Sequence, residues 1–214
     1  DWSVEGDLSV CREYWLGQRV GPIVTFIEEP TYRQMGDGVR YDLDAMARAA
    51  AECIREDMRR GDPFALPAVC ADFGTISTAR LYGGRILPAR DGGKVHIEPA
   101  IRNLNDLERL KPCPFEESDY QWALELWRKV CDRLETDRIY LRTPDFQGPL
   151  NTLALVMDQT TMLAGFYEAP DLVRHALFFI SGTLIEYHQR LRHELGGGRV
   201  VGNIWPYTTL PEDL

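Results

Sequence analysis

The sequence lacks the cysteine spacing that would indicate a disulfide framework or a zinc knuckle. Its five cysteines are scattered, and no two of them form a Cys-x-x-Cys pair. An odd number of isolated cysteines is typical of reduced thiols in a cytosolic protein, whereas small secreted domains carry regularly spaced pairs. We therefore expect a cytoplasmic protein without disulfides.

Membrane segments and nucleotide-binding motifs are also missing. The longest apolar region, 172–187, is interrupted by Arg174, His175 and Glu186, so no stretch is suited to spanning a bilayer. The glycine pairs and the glycine run 196–198 match neither a P-loop nor a Gly-x-Gly-x-x-Gly fingerprint. A formal net charge of −9 disfavours nucleic acid and anionic membrane surfaces as partners.

A zinc-binding pair of histidines on one helix is not expected either. His175, His188 and His193 are never three or four residues apart, the spacing that places two ligands on one helix face. Each is better interpreted as a surface or core-edge histidine.

The composition present is that of a soluble globular protein. Of the 214 residues, 44% are hydrophobic and 27% charged, an ordinary balance for a folded domain. The sequence starts at Asp1 without a methionine or signal-like segment, and no closing helix follows residue 210. We expect a single domain over 1–214, with 1–20 as an N-terminal extension, cut from a longer chain.

Apolar runs and helical patterns alternate along the chain. Apolar, β-prone runs predict four strands, helical spacing predicts helices between them, and Asp-Gly between alternating residues predicts a surface β-hairpin at 85–98. The predicted strands are 21–27, 66–71, 138–143 and 199–205, and the predicted helices are 42–60, 104–110, 117–135, a helix from Pro149, and a long helix from Pro170 to the glycine run. Repeated β-α alternation predicts a parallel sheet with right-handed crossovers. The expected fold class is α/β of the (β/α)8 TIM-barrel type, here an incomplete barrel of about four parallel strands, because a full barrel usually needs roughly 250 residues.

Polar residues follow the predicted strands. Asp145, Gln147 and Asn151 follow the third strand, whose end is set by Pro144. Because ligands of α/β proteins bind at the carboxyl ends of strands, we interpret these residues as a candidate site. A solvated polar loop remains the alternative.

The other strands end in similar residues. Glu28 and Glu29 follow the first strand, Asp72 follows the second, and Asn203 lies near the end of the fourth. An aspartate directly after an apolar strand is costly unless it is hydrated, hydrogen-bonded or functional. Two adjacent carboxylates are either solvated charges or an acid/base or ligand pair.

Three segments form a pattern that local structure does not explain: Gly148-Pro149-Leu150-Asn151-Thr152-Leu153-Ala154, Tyr167-Glu168-Ala169-Pro170-Asp171-Leu172-Val173 and Ala71-Asp72-Phe73-Gly74. Together they resemble the uroporphyrinogen decarboxylase superfamily. The resemblance runs from about Leu43 to the C-terminus, and 148–173 is its strongest part. It implies the N-terminal portion of a (β/α)8 barrel from a family of haem-pathway decarboxylases and cobalamin-dependent methyltransferases.

Carried over by position, the resemblance implies roles for some residues. Asp72 falls where the decarboxylases have an essential aspartate that holds the pyrrole N–H groups, and is the candidate catalytic residue. Arg33-Gln34-Met35-Gly36 resembles part of their arginine signature, but Asp37 stands where a second arginine is found, and Val156 stands at their active-site tyrosine. Both departures disfavour decarboxylation. Candidate substrate-binding residues are Glu29, Arg33, Asp145, Gln147, Asn151 and Asn203.

The resemblance implies an enzyme, a methyltransferase or a carboxy-lyase. We expect a corrinoid-dependent methyltransferase; the alternatives are a uroporphyrinogen decarboxylase of porphyrin biosynthesis and a non-catalytic tetrapyrrole-binding protein. The methyltransferase reading implies zinc with ligands outside this chain and a corrinoid as substrate or partner cofactor, whereas a decarboxylase needs no cofactor. Implied partners are a small-molecule or tetrapyrrole substrate, a corrinoid protein and a second copy in a homodimer, without nucleic acid or membrane. Arg142, at the end of the third strand, either faces substrate or pairs with one of the acids inside the barrel.

Overall fold

The computed structural model describes residues 13, 16–18, 42–60, 66–71, 73, 74, 77–87, 96–144, 147–204 and 208–210, with backbone alone at 202–204 and 208–210. The helices are α1 (Leu43–Arg60), α2 (Thr78–Leu81), α3 (Asp119–Leu134), α4 (Pro149–Val156), α5 (Gln159–Glu168) and α6 (Pro170–Glu194), with 3₁₀ helices at Leu104–Arg109 and Phe115–Glu117. The strands are β1 (Ala68–Cys70), β2 (Arg85–Leu87), β3 (His96–Glu98), β4 (Tyr140–Arg142), β5 (Val200–Ile204) and β6 (Thr208–Leu210).

A four-stranded sheet with the order β1-β4-β5-β6 forms the centre of the fold. β1 is parallel to β4 and β4 is parallel to β5, whereas β6 is antiparallel to β5. The fold is therefore a mixed helix and strand structure containing a parallel sheet of three strands. Three of the four predicted strands are confirmed, and the predicted strand 21–27 lies outside the described residues.

The three parallel strands follow one another across the sheet in chain order. Each crossover therefore moves in the same direction, from β1 to β4 and then to β5. Right-handed crossovers that advance in one direction place their helices on one face of the sheet. The opposite face of the sheet is therefore not covered by these crossover helices.

The helix predicted over 42–60 begins one residue later. The Ala45 amide donates to the Asp42 carboxylate at 3.0 Å, which satisfies one of the free N–H groups of the first turn. Met46, Ala50 and Ile54 form the buried face, the spacing expected of an amphipathic helix. This face packs along α3.

α3 connects the helical layer to the sheet. It runs two residues shorter at its start than the predicted 117–135, and Glu135 ends it with a left-handed backbone of φ 54°. The Trp127 indole N–H donates to the Ile139 carbonyl at 2.8 Å, just before β4. The helix thereby fixes the entry of β4.

One hydrophobic core lies between the sheet and the helices. Its members are apolar side chains from β1, β4, β5 and the helices around them. Fully buried examples are Val69, Leu141, Leu153, Val173, Ile180 and Leu191.

Two parts of the chain differ from the sequence expectation. The predicted helix 104–110 is a 3₁₀ helix, because Asn103 and Asp106 form a capping box over a turn that Lys111-Pro112 cannot continue. Residues 208–210, for which no strand was predicted, form β6, whose β-branched Thr208 and Thr209 pair with β5.

The predicted surface hairpin is confirmed within the described residues. β2 and β3 pair antiparallel with Ile86 opposite Ile97, as predicted for the hairpin. Cys53, Cys70, Cys113 and Cys131 are free thiols, and burial raises the pKa of Cys131 to about 12. Within these residues, every helix is too short or too polar to cross a bilayer.

Candidate functional site

The carboxyl ends of the three parallel strands lie at one edge of the sheet. Cys70 of β1 is in register with Arg142 of β4, and Arg142 is in register with Val201 of β5. Residues that follow these strands therefore emerge on the same side. This edge is the candidate site.

Four of the predicted site residues, Glu29, Arg33, Asp72 and Asp145, lie outside the described residues. Of Asn203 only the backbone is described, in β5 two residues beyond Val201 and opposite Thr209. The roles of these residues stay predictions.

The loop after β4 brings two predicted site residues together. The Asn151 side-chain amide donates to the Gln147 side-chain oxygen at 2.8 Å. The Thr152 hydroxyl donates to the Gln147 carbonyl at 3.2 Å, and the Thr152 amide to the Gly148 carbonyl at 2.9 Å. Gly148 is the N-cap and Pro149 is the first residue of α4, as the sequence predicted. The amide of Asn151 is thus held in place while its side chain remains exposed.

The loop after β1 is anchored on both sides of position 72. Ala71 and Phe73 are both fully buried. The Phe73 ring meets the Trp122 ring edge to face, with 5.9 Å between centroids. Gly74 has a φ of 83°, a conformation that favours glycine, and its carbonyl accepts the Ser77 amide at 3.0 Å. The flanks of this loop are therefore fixed by packing and by a turn.

A buried ion pair lies next to this loop. Arg80 donates to both carboxylate oxygens of Asp119, at 3.0 and 3.3 Å, and its guanidinium lies 4.9 Å from the centre of the Trp122 ring. Burial raises the pKa of the Asp119 carboxyl, and the charge of Arg80 acts in the opposite direction. Since Trp122 also contacts Phe73, the pair supports the loop that carries position 72. Sequence reasoning missed this pair, because 39 residues separate its members.

Arg142 lies at the edge itself. Its side chain is partly buried, and its Nε atom is buried without a hydrogen-bond partner. Of the two roles that the sequence leaves open for Arg142, pairing with an acid is not seen within the described part of the chain.

Val156, the position that resembles the decarboxylase tyrosine, belongs to the core. Its side chain is fully buried, and its carbonyl accepts the Ile101 amide at 2.9 Å. A side chain at this position is packed in the hydrophobic core.

Potential metal ligands do not cluster in the described part of the chain. No group of three or more His, Cys, Asp or Glu side chains there is arranged to hold a metal ion. The predicted zinc, with ligands outside this chain, stays a prediction.

Comparison with known proteins gives one informative similarity. No protein-family model matches the sequence, and no curated protein does. Among solved structures, a methyltransferase from Methanosarcina mazei is similar, with a TM-score of 0.56 at 13% sequence identity. The similarity covers 94% of this chain, which spans 58% of that methyltransferase. At this identity the similarity shows that the chain shares a methyltransferase-type fold.

Proposed function

We propose that this chain is the N-terminal portion of a (β/α)8-barrel enzyme of the uroporphyrinogen decarboxylase superfamily, and that it acts as a corrinoid-dependent methyltransferase. The observation that carries the proposal is the fold similarity to a methyltransferase over 94% of the chain. The order of β1, β4 and β5, which advances in one direction with parallel pairing, is the order that a barrel uses.

The strand ends supply groups suited to holding a polar substrate. Asn151 and Gln147 form a fixed amide pair after β4, and a guanidinium lies at the end of β4. Preorganised hydrogen-bonding groups hold reacting partners in line without reordering during the reaction. In this proposal the described residues bind and orient the methyl acceptor.

The proposed reaction transfers a methyl group between a methylated corrinoid and a thiol, both as substrates. The carbon–cobalt bond breaks with its electron pair left on cobalt, the carbon–sulfur bond forms, and the thiol proton is released to solvent. Asp72 and Asp145 are the proposed carboxylates near the acceptor.

Decarboxylation of uroporphyrinogen is the competing activity, and two observations disfavour it. Val156 is a buried core residue, so the position resembling the tyrosine offers no hydroxyl group to a substrate. The strand-end residues Glu29, Asp72 and Asp145 would repel a substrate with many carboxylates.

The test is an anaerobic assay of the product of the complete gene. The protein is incubated with methylcobalamin, a small thiol and zinc, and methylated thiol is measured by mass spectrometry. A parallel sample receives uroporphyrinogen under reducing conditions. We expect thiol methylation and no loss of carboxylates.

Three results would contradict the proposal. Carboxylate loss within about tenfold of an authentic decarboxylase, a difference of about 1.4 kcal/mol in the barrier, would assign the other branch. Tetrapyrrole binding without either turnover would indicate a non-catalytic binding protein. The absence of both tetrapyrrole binding and turnover would reject the superfamily assignment.

A further inference from the structure

Arg142 is the last residue of β4, the central one of the three parallel strands. Its guanidinium projects away from the helices. Leu141 is fully buried on the helix side, and side chains alternate along a strand, so Arg142 lies on the opposite face. Its register neighbours there are Cys70 of β1 and Val201 of β5. Its backbone is fixed on both sides, since the Leu141 and Thr143 amides donate to the Arg199 and Val201 carbonyls at 2.8 and 3.1 Å.

Two other part-buried arginines of the described chain have acidic partners. Arg80 pairs with Asp119 at 3.0 Å, and Arg199 pairs with Asp137 at 2.9 Å. Within the same residues no carboxylate pairs with Arg142, and its buried Nε lacks a hydrogen-bond partner. A buried charged donor without an acceptor destabilises the fold. Such a group in a native structure calls for an explanation, and a ligand that accepts its hydrogen bond would provide one.

A helix N-terminus follows Arg142 in the chain. Arg142 is the last residue of β4, and the chain leads from it to the start of α4 at Pro149. The first turn of α4 holds no acidic residue, so the partial positive charge of its N-terminus is not compensated from within the helix. A fixed cation and a helix N-terminus thus follow one strand at the same edge.

We propose that Arg142 binds an oxyanion, a carboxylate or a phosphate, carried by the substrate of the strand-end site. This inference rests on the proposed function for the location of that site and adds the chemical class of its ligand. The planar guanidinium presents paired N–H donors that match the two oxygens of such a group. The ligand would supply the acceptor that Nε lacks.

The test measures thermal unfolding of the full chain in sodium chloride, sodium acetate and sodium phosphate at matched ionic strength and pH. Arg142→Met removes the guanidinium, and Arg142→Lys keeps the charge without the planar fork. Arg138→Met is the matched control, because Arg138 is exposed and lies before β4, at the opposite edge.

We expect acetate or phosphate to raise the melting temperature of the wild type and of Arg138→Met by about 2 to 4 °C at saturation. The shift should vanish in Arg142→Met and fall by at least half in Arg142→Lys. Which salt acts identifies the oxyanion. In chloride, Arg142→Met should melt at or above the wild-type temperature, because a donor without an acceptor has been removed.

Three outcomes would overturn the proposal. An equal anion shift in all variants would mean general salt stabilisation, and no shift in the wild type would mean no oxyanion site. A fall of several degrees for Arg142→Met in chloride would show that the guanidinium has a structural partner. None of these depends on methyl transfer, so failure here leaves the activity assay to judge the proposed function.

Discussion

The two faces of the parallel sheet are built for different purposes. On the helix side, Val69, Leu141 and Val200 are at most 1% exposed and belong to the hydrophobic core. On the opposite face, Cys70 and Arg142 are only partly buried.

The opposite face is also more varied in chemistry. Ala68, Cys70, Tyr140 and Arg142 contribute a methyl group, a thiol, a phenol and a guanidinium. Of the strand side chains described on that face, Val201 alone is fully buried. The helix side of the strands therefore stabilises the fold through buried apolar side chains, and the opposite face offers polar groups that a ligand can use.

The largest expected effect tests the helix side of this comparison. Leu141→Ala should reduce the free energy of unfolding by about 2 to 5 kcal/mol, because a fully buried leucine leaves a cavity. Urea unfolding followed by circular dichroism measures the change. Ala68→Ser, on the opposite face of β1, is the control and should change it by less than about 1 kcal/mol. Equal losses in the two variants would contradict the division between the faces.

The second prediction concerns the ion pair beneath the loop after β1. Asp119→Leu should destabilise the protein by about 2 to 4 kcal/mol, because it leaves the Arg80 guanidinium, 20% exposed, without this carboxylate. The double variant Arg80→Met with Asp119→Leu should recover a large part of the loss.

A surface ion pair with a similar nitrogen–oxygen distance provides the control for Asp119. Arg174 and Asp171 are 2.9 Å apart but 65% and 91% exposed. Asp171→Ala should therefore cost no more than about 0.5 kcal/mol. If the double variant were less stable than Asp119→Leu alone, Arg80 would stabilise the fold even without Asp119, and an unpaired guanidinium would not explain the loss.

The order of the elements was predictable from the sequence, because apolar runs and helical spacing are local signals. Asp42 and Pro149 marked helix starts within one residue. The strands came out shorter than the apolar runs, as for 66–71, of which Ala68–Cys70 pairs. Strand limits depend on partners from distant parts of the chain, and the antiparallel pairing of β6 with β5 had no local signal.

Of the candidate site, the sequence placed Gln147 and Asn151 after the strand that is observed as β4. Their four-residue spacing is one at which helical side chains meet, although their hydrogen bond was not anticipated. The Arg80–Asp119 pair and the buried Nε of Arg142 could not be derived, because both depend on three-dimensional burial. A residue type shows what a group can do, and burial decides whether it must find a partner.

The third prediction sharpens the comparison at the strand ends. Asn151→Ala should lower kcat/KM for methyl transfer by about tenfold, the effect of one lost hydrogen bond worth about 1.4 kcal/mol. Its stability should change by less than about 0.5 kcal/mol, since the side chain is exposed. Gln189→Ala, exposed on α6, is the control and should alter neither quantity. A fall in stability without a fall in kcat/KM would make Asn151 a capping residue of α4.

The smallest expected effect is a pH dependence from the helical layer. Burial lowers the pKa of His188, and the nearby charge of Arg192 lowers it further. The unfolded chain then binds a proton at a higher pH than the folded chain, so stability is unaffected well above pH 6.5 and falls as the pH drops below about 6.5. The fall ends once the pH passes below the folded-state pKa, and it corresponds to less than one proton.

His188→Gln should flatten this part of the stability curve, measured by urea unfolding between pH 5 and 8, a range of about three units around the ordinary histidine pKa. His175→Gln, exposed on the same helix, should retain the wild-type curve. If His188→Gln kept the acid-side loss in full, the protons responsible would lie elsewhere, and the buried side of α6 would be inert to pH.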